Sequence, residues 1–193
     1  MKIDTFKGLG SPGRDNPLNY ELDRQRKDYT TQLMHWWQVR PYSILDVAGP
    51  SVVGKWIAED FNCKLYHTIG DLDKDWKPEL QHVHTVICLE VMEHLLNPMK
   101  FLIELEKKVI FQHLIISWPH RPSWLWSNHH FHEYDLSRFE YLVHRSGYEI
   151  VHIDKRPEFT KWWQHLTGIR PMIRPFVSTH YFAHLKFVRK INK

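Results

Sequence analysis

The chain has 193 residues, 42% hydrophobic and 25% charged, a length and balance that support one globular domain with a real core and exclude two comfortable domains. Its 26 Lys and Arg against 22 Asp and Glu leave +4, a mild and scattered excess that argues for no nucleic-acid surface. The opening MKIDTFKGLGSPGRDNP lacks the apolar core of a signal peptide, no apolar run is long enough to span a bilayer, and Cys63 and Cys88 lie in apolar strand-like runs as buried free thiols, so a soluble cytoplasmic protein is expected.

Residues 1–19, with Gly8, Gly10, Pro12, Gly13 and Pro17, read as an extended arm. From Tyr20 to about Val39 the pattern is helical, with Leu22, Tyr29, Leu33 and Trp36 or Trp37 near one face, and Pro41 ends it. Ser43–Ala48 is a short buried strand. Ser51 caps a helix from about Val52 to Phe61. A second strand covers about Lys64–Ile69, followed by the polar turn Gly70-Asp71-Leu72-Asp73, and His84–Leu89 is a third, almost wholly apolar strand.

Asn97-Pro98 starts a helix, since Asn caps and Pro suits the first helical position; Phe101, Leu102, Leu105 and Val109 mark its inner face. Ile110–Ser117 is a fourth strand. Asp135 caps a helix with Leu136, Phe139, Leu142 and Val143 inward, and Gly147 stops it. Tyr148–Ile153 is a fifth strand, and His180–Arg189 a last one at the sheet edge. Residues 155–180 read as an insertion or lid before it. Strands alternate with helices, and several strands are apolar throughout, as parallel strands covered on both faces must be. The expected architecture is a single α/β domain over residues 1–193, three-layered and doubly wound around a mostly parallel sheet, with its ligand at the carboxyl ends of the strands.

Three segments carry candidate chemistry. Leu45-Asp46-Val47-Ala48-Gly49-Pro50-Ser51 joins the first strand to its helix; small residues there let the backbone approach a ligand, and Asp46 offers a carboxylate that a nucleotide phosphate would find unwelcome. Neither G-x-G-x-x-G nor a P-loop is present. The second segment is Val86-Ile87-Cys88-Leu89-Glu90-Val91-Met92-Glu93-His94-Leu95-Leu96-Asn97-Pro98. The third, Trp118 to Tyr134, holds His120, His129, His130 and His132, with Glu133 as its lone carboxylate and no Cys; zinc requires three or four convergent ligands, so this stretch is read as holding no metal.

The second segment resembles the fourth-strand signature of small class I S-adenosylmethionine (SAM)-dependent methyltransferases of the methyltransferase type 11 kind, which often read V-L-E-H-L-x-x-P at this point. The first segment is similar to their motif I, and Ser146-Gly147-Tyr148 to the piece before their late strand. His130-x-x-Glu133-Tyr134 resembles the stretch before their late helix. Residues 30–155 are covered. Ala48 stands where the family has its first motif glycine, and the segment between the second and third strands is short, with its usual helix absent or reduced.

The resemblance implies a Rossmann-like methyltransferase fold with an antiparallel last strand, SAM as cofactor, and methyl transfer to the oxygen or nitrogen of a small or medium-sized acceptor. It implies that Asp46, Ala48, Gly49 and Pro50 form the turn under the methionine moiety. Asp71, with Asp73 as the alternative, would hold the ribose hydroxyls beside Leu72; Leu89 and Glu90 would flank the cofactor. Glu93 and His94 would fix local turn and cap geometry. His130 and His132, then His120, are the general-base candidates, because an imidazole suits proton removal from a hydroxyl or amine near neutral pH. A silent SAM-fold partner protein and a nucleic-acid methyltransferase are the competing readings; the latter is disfavoured because the chain has no amino-methylating N/D-P-P-Y/F tetrapeptide.

Overall fold

A computed structural model of the chain describes residues 17–120, 130–157 and 179–188, with side chains from Tyr20 onward. The elements run α1 (Pro17–Trp36), β1 (Ser43–Asp46), α2 (Val52–Asp60), β2 (Lys64–Gly70), β3 (Trp76–Pro78), β4 (Thr85–Leu89), a 3₁₀ turn (Met92–His94), α3 (Pro98–Lys108), β5 (His113–His120), α4 (Leu136–Arg145), β6 (Tyr148–Pro157) and β7 (Thr179–Phe187). The strands form one sheet in the order β3-β2-β1-β4-β5-β7-β6. β2, β1, β4 and β5 pair in parallel, and β7 lies antiparallel between β5 and β6.

Local signals place the helix starts. The Ser51 side chain accepts from Gly54 N–H, Asn97 from Lys100 N–H and Asp135 from Arg138 N–H, so each helix opens with a satisfied orphan donor. Alternate strand residues then feed two cores, as the two-residue period requires. Ile44, Ile87, Leu89 and Ile115 pack with Met34 of α1 and Val53 and Ile57 of α2. Leu45, Val86, Cys88, Leu114 and Ile116 pack with Phe101, Leu102 and Leu105 of α3 and Phe139 and Val143 of α4. The sheet is therefore the middle of three layers, and its buried central strands are apolar for that reason.

Four details differ from expectation. The last strand is interior, not an edge: β7 pairs along its length with both β5 and β6, leaving β6 at the rim. α1 already begins at Pro17, a residue suited to a first helical turn; of the proposed arm 1–19, residues 1–16 lie outside the described residues. β6 runs on to Pro157 and β7 starts at Thr179, so only 158–178 of the proposed 155–180 insertion stand between strands, outside the described residues. Between β2 and β4 the helix is absent, in line with the short segment there, but an unexpected strand, β3, turns back antiparallel to β2. Cys88 is a buried free thiol and Cys63 a half-buried one.

Candidate active site

The corner between the tips of β1 and β4 is built by the Asp46 carboxylate. Asp46 is 1% exposed, and one of its oxygens accepts Ala48 N–H at 3.0 Å while the other accepts the Ser51 hydroxyl. Ser51 Oγ in turn accepts Gly54 N–H at 2.9 Å. The carboxylate thus holds the turn to the first residues of α2. Burial pushes its pKa up to about 6, against hydrogen bonds from Ser51 and Ala48 that favour the charged form.

The one left-handed residue of that turn is Gly49, at φ 82°, and among the described residues a Cβ built on it would meet no atom within 4 Å. The turn therefore has open space above Gly49, and Ala48, outside the left-handed region, fits where a glycine was expected. Pro50 is exposed beside it. Thr68 Oγ donates to Val47 C=O at 2.9 Å, and Val47 N–H to Ile87 C=O at 3.1 Å, fixing the turn to β2 and β4.

At the β4 tip, Glu90 takes φ 54°, a left-handed conformation that a non-glycine residue adopts only when its surroundings hold it. They do. Its N–H donates to Ser117 C=O at 3.1 Å, and its side chain accepts the Ser117 hydroxyl at 3.0 Å. The other oxygen stands 3.3 Å from His180 Nε2 of β7 and 3.6 Å from Arg26 Nη2 of α1. Burial acts to raise the Glu90 pKa, but the charges of His180 and Arg26, with hydrogen bonds from His180 and Ser117, hold it below the ordinary carboxylate range. Sequence reasoning missed Arg26, Ser117 and His180, since nothing local marks them.

Of the two ribose candidates, Asp73 is spent on backbone: it accepts Leu96 N–H at 2.9 Å and Asn97 N–H at 3.1 Å. Asp71, just past the end of β2, pairs with Lys74 Nζ at 2.7 Å on the exposed side, and that hydrogen bond keeps its pKa low. Leu72 is buried with Trp76 and Phe101, and the Leu89 side chain packs in the opposite core, so only their backbone can border a ligand.

The histidines of the third segment separate. His120, at the end of β5, has Nδ1 at 3.4 Å from Tyr134 C=O. His130 Nδ1 lies 2.7 Å from Glu133 Oε1, while His132 stacks on Tyr134 and keeps a buried Nε2 with no hydrogen-bond partner. Phe131 and His132 N–H both donate to Glu93 C=O, at 2.8 and 3.1 Å, which brings His130 against the 3₁₀ turn. The turn has no side-chain cap; among the described residues neither Glu93 oxygen has a hydrogen-bond partner, and His94 Nε2 stands 3.9 Å from Glu93 Oε1. Burial first, and the Glu90 charge second, push the Glu93 pKa well above its ordinary value.

A β1–turn–α2 corner over open space, in a sheet ordered 3-2-1-4-5-7-6 with β3 and β7 the antiparallel strands, decides the fold. This is the class I SAM-dependent methyltransferase fold. The chain superposes on coclaurine N-methyltransferase bound to N-methylheliamine and SAH with a TM-score of 0.59, at 10% identity over 83% of this chain and 72% of that one. Against the plantazolicin methyltransferase BpumL, in complex with a triazolic desmethylPZN analog and SAH, the TM-score is 0.51 at 14% identity, covering 91% and 87%. Against the small RNA methyltransferase HEN1 it is 0.56 at 14% identity, covering 88% of this chain but only 26% of that one. No family model matches the sequence, and no curated protein matches it. β3 lies antiparallel to β2, and no helix stands between β2 and β4.

Proposed function

We propose that the chain binds SAM at the Gly49 corner and transfers its methyl group to a hydroxyl or amine of a small or medium-sized acceptor. The observation that supports this best is the open space over Gly49, at the end of β1 where it runs parallel beside β4, with the Asp46 carboxylate used to hold the turn. The residues present fit the cofactor: a left-handed glycine, Ala48 with an ordinary φ, and Asp71 at the end of β2 to accept from ribose hydroxyls once Lys74 swings aside. SAM supplies a methyl already activated by the sulfonium.

The protein's share of the work is then alignment and proton removal. His120 suits the second task. Its Nδ1–H donates to Tyr134 C=O, which makes Nε2 the basic nitrogen of the ring, at the carboxyl edge of the sheet. His132 is the alternative base. No described helix is long and apolar enough to cross a membrane, and we place the protein in the cytoplasm with a small-molecule acceptor in preference to nucleic acid.

Calorimetry with SAH tests the site. Saturable binding is expected from the parent and none from Gly49→Trp, whose indole would fill the open corner. A parent chain that takes up no SAH or SAM at millimolar concentration sinks the proposal and favours the silent-partner reading, for which the missing β2–β3 helix is the supporting feature.

A further inference from the structure

We propose that Glu93, His94 and His130 form a binding site for a first-row divalent metal ion such as Zn²⁺ or Co²⁺. Each offers one ligand atom, and these atoms all lie within 4.8 Å of one another. A first-row ion at about 2.0–2.2 Å from each ligand draws them to slightly shorter separations, which small side-chain rotations supply. The Glu93 carboxylate is the independent sign. It is 1% exposed, and among the described residues neither oxygen has a hydrogen-bond partner, the nearest basic group being His94 Nε2 at 3.9 Å from Oε1, although a buried carboxylate without hydrogen bonds is costly. A cation seated against it removes that cost.

The surroundings are built for a cation as well. His130 Nδ1 is engaged by Glu133 Oε1 at 2.7 Å, which fixes the tautomer and turns Nε2 into the ligand, the outer-carboxylate arrangement common behind metal-bound histidines. The His94 and His130 rings meet edge to face, with centroids 4.9 Å apart and planes at 83°. Glu90 and Glu133 add negative charge near Glu93, and Arg26 adds one positive charge. The backbone bonds from Phe131 and His132 to Glu93 C=O hold the two halves of the site together without using any ligand atom. Two imidazoles and one carboxylate favour transition ions over magnesium and leave coordination positions open to water or another ligand. The site stands whether or not the chain transfers methyl groups.

The test is a Co²⁺ titration of the full chain after chelator treatment, followed by visible absorption and calorimetry. One ion per chain is expected, with ligand-field bands that Zn²⁺ abolishes by displacement. Glu93→Gln, His94→Asn and His130→Asn should each lower affinity more than tenfold, and Glu133→Gln by about tenfold through His130. Thermal melts identify variants that have lost their fold; the two His variants, at the more exposed end of the site, keep the test decisive if Glu93→Gln does not fold. A parent that binds no Co²⁺ at micromolar concentration overturns the assignment; so do folded variants that bind as well as the parent, which would place the ion on other ligands among the 15 His.

Discussion

Arg26 Nη2 of α1 and Glu90 Oε2 at the β4 tip stand 3.6 Å apart, so the first helix of the chain is tied directly to the strand end that borders the Gly49 corner. Arg26 also reaches Asp23 Oδ1 at 3.1 Å. Both partners are mostly shielded, with side chains 22% and 14% exposed, which makes the attraction stronger than that of a surface pair. His180 and Ser117 still serve Glu90 when Arg26 is removed. A double-mutant cycle of Arg26→Met and Glu90→Gln, read by urea unfolding, is therefore expected to give a coupling of about 1 kcal/mol. A coupling of zero would mean that His180 alone neutralises Glu90.

Gly54 offers a sharper steric test. A Cβ there would collide with Asp46 Oδ2 and sit 3.1 Å from Ser51 Oγ, inside the hydrogen-bonded unit that shapes the turn. Alanine in a helix interior ordinarily gains about 1 kcal/mol over glycine. Here overpacking should reverse the sign, and Gly54→Ala is expected to lose about 2 kcal/mol in chemical denaturation. It should also weaken SAH binding, since the displaced carboxylate no longer holds Ala48. A stabilised variant would show that the turn can move away at little cost.

Much of this architecture was legible because its signals are local. Ser51, Asn97-Pro98 and Asp135 announce helix starts within one turn, and apolar runs such as Val86–Leu89 announce strands covered on both faces. β3 was not legible: Trp76–Pro78 is three residues long and owes its conformation to pairing with Thr68–Gly70. The interior place of β7 was hidden for a similar reason, because strand order across a sheet is not written in periodicity. The grouping of Glu93, His94 and His130 depends on two backbone bonds between segments far apart in the chain. Motif I was readable as a turn, but the inward aim of Asp46 follows from Gly54 leaving room for it.

Asp46 gives a pH signature of its own. Its pKa is about 6 in the folded chain against 3.8 as the ordinary value. From pH 3.8 upward the unfolded chain releases this proton while the folded chain keeps it, so this residue's contribution to stability falls with rising pH and levels off above about 6. The gap corresponds to about 3 kcal/mol. Asp46→Asn cannot ionise. Its stability relative to the parent should therefore rise by roughly that amount between pH 4 and pH 7, in urea unfolding at each pH. A difference that stays constant over that range would show that the buried carboxyl titrates as a free one.

At the opposite end of the central strands, the sign is reversed. His113 Nδ1 lies 2.8 Å from His184 Nε2, His84 packs on His113, and His152 and Trp37 stack on His184. Burial first, and neighbouring imidazoles and Lys186 second, push His113 down to about 4 and His184 down to about 3, from an ordinary 6.5. Below pH 6.5 the unfolded chain takes up protons that these two rings refuse, so stability is lost as pH falls, by up to about 1.4 kcal/mol per pH unit for each proton. The loss for His113 ends near pH 4, where the folded ring is protonated too. His184→Gln keeps a hydrogen-bonding group against His113 and removes one titrating ring. At pH 7 it should be less stable than the parent, because Gln packs poorly between Trp37 and His152; the deficit should shrink steadily between pH 6.5 and pH 4.5. Melting curves of both proteins across that range check this, and a deficit that is flat or widens on acidification would mean that His184 accepts a proton in the folded state as readily as in the unfolded one.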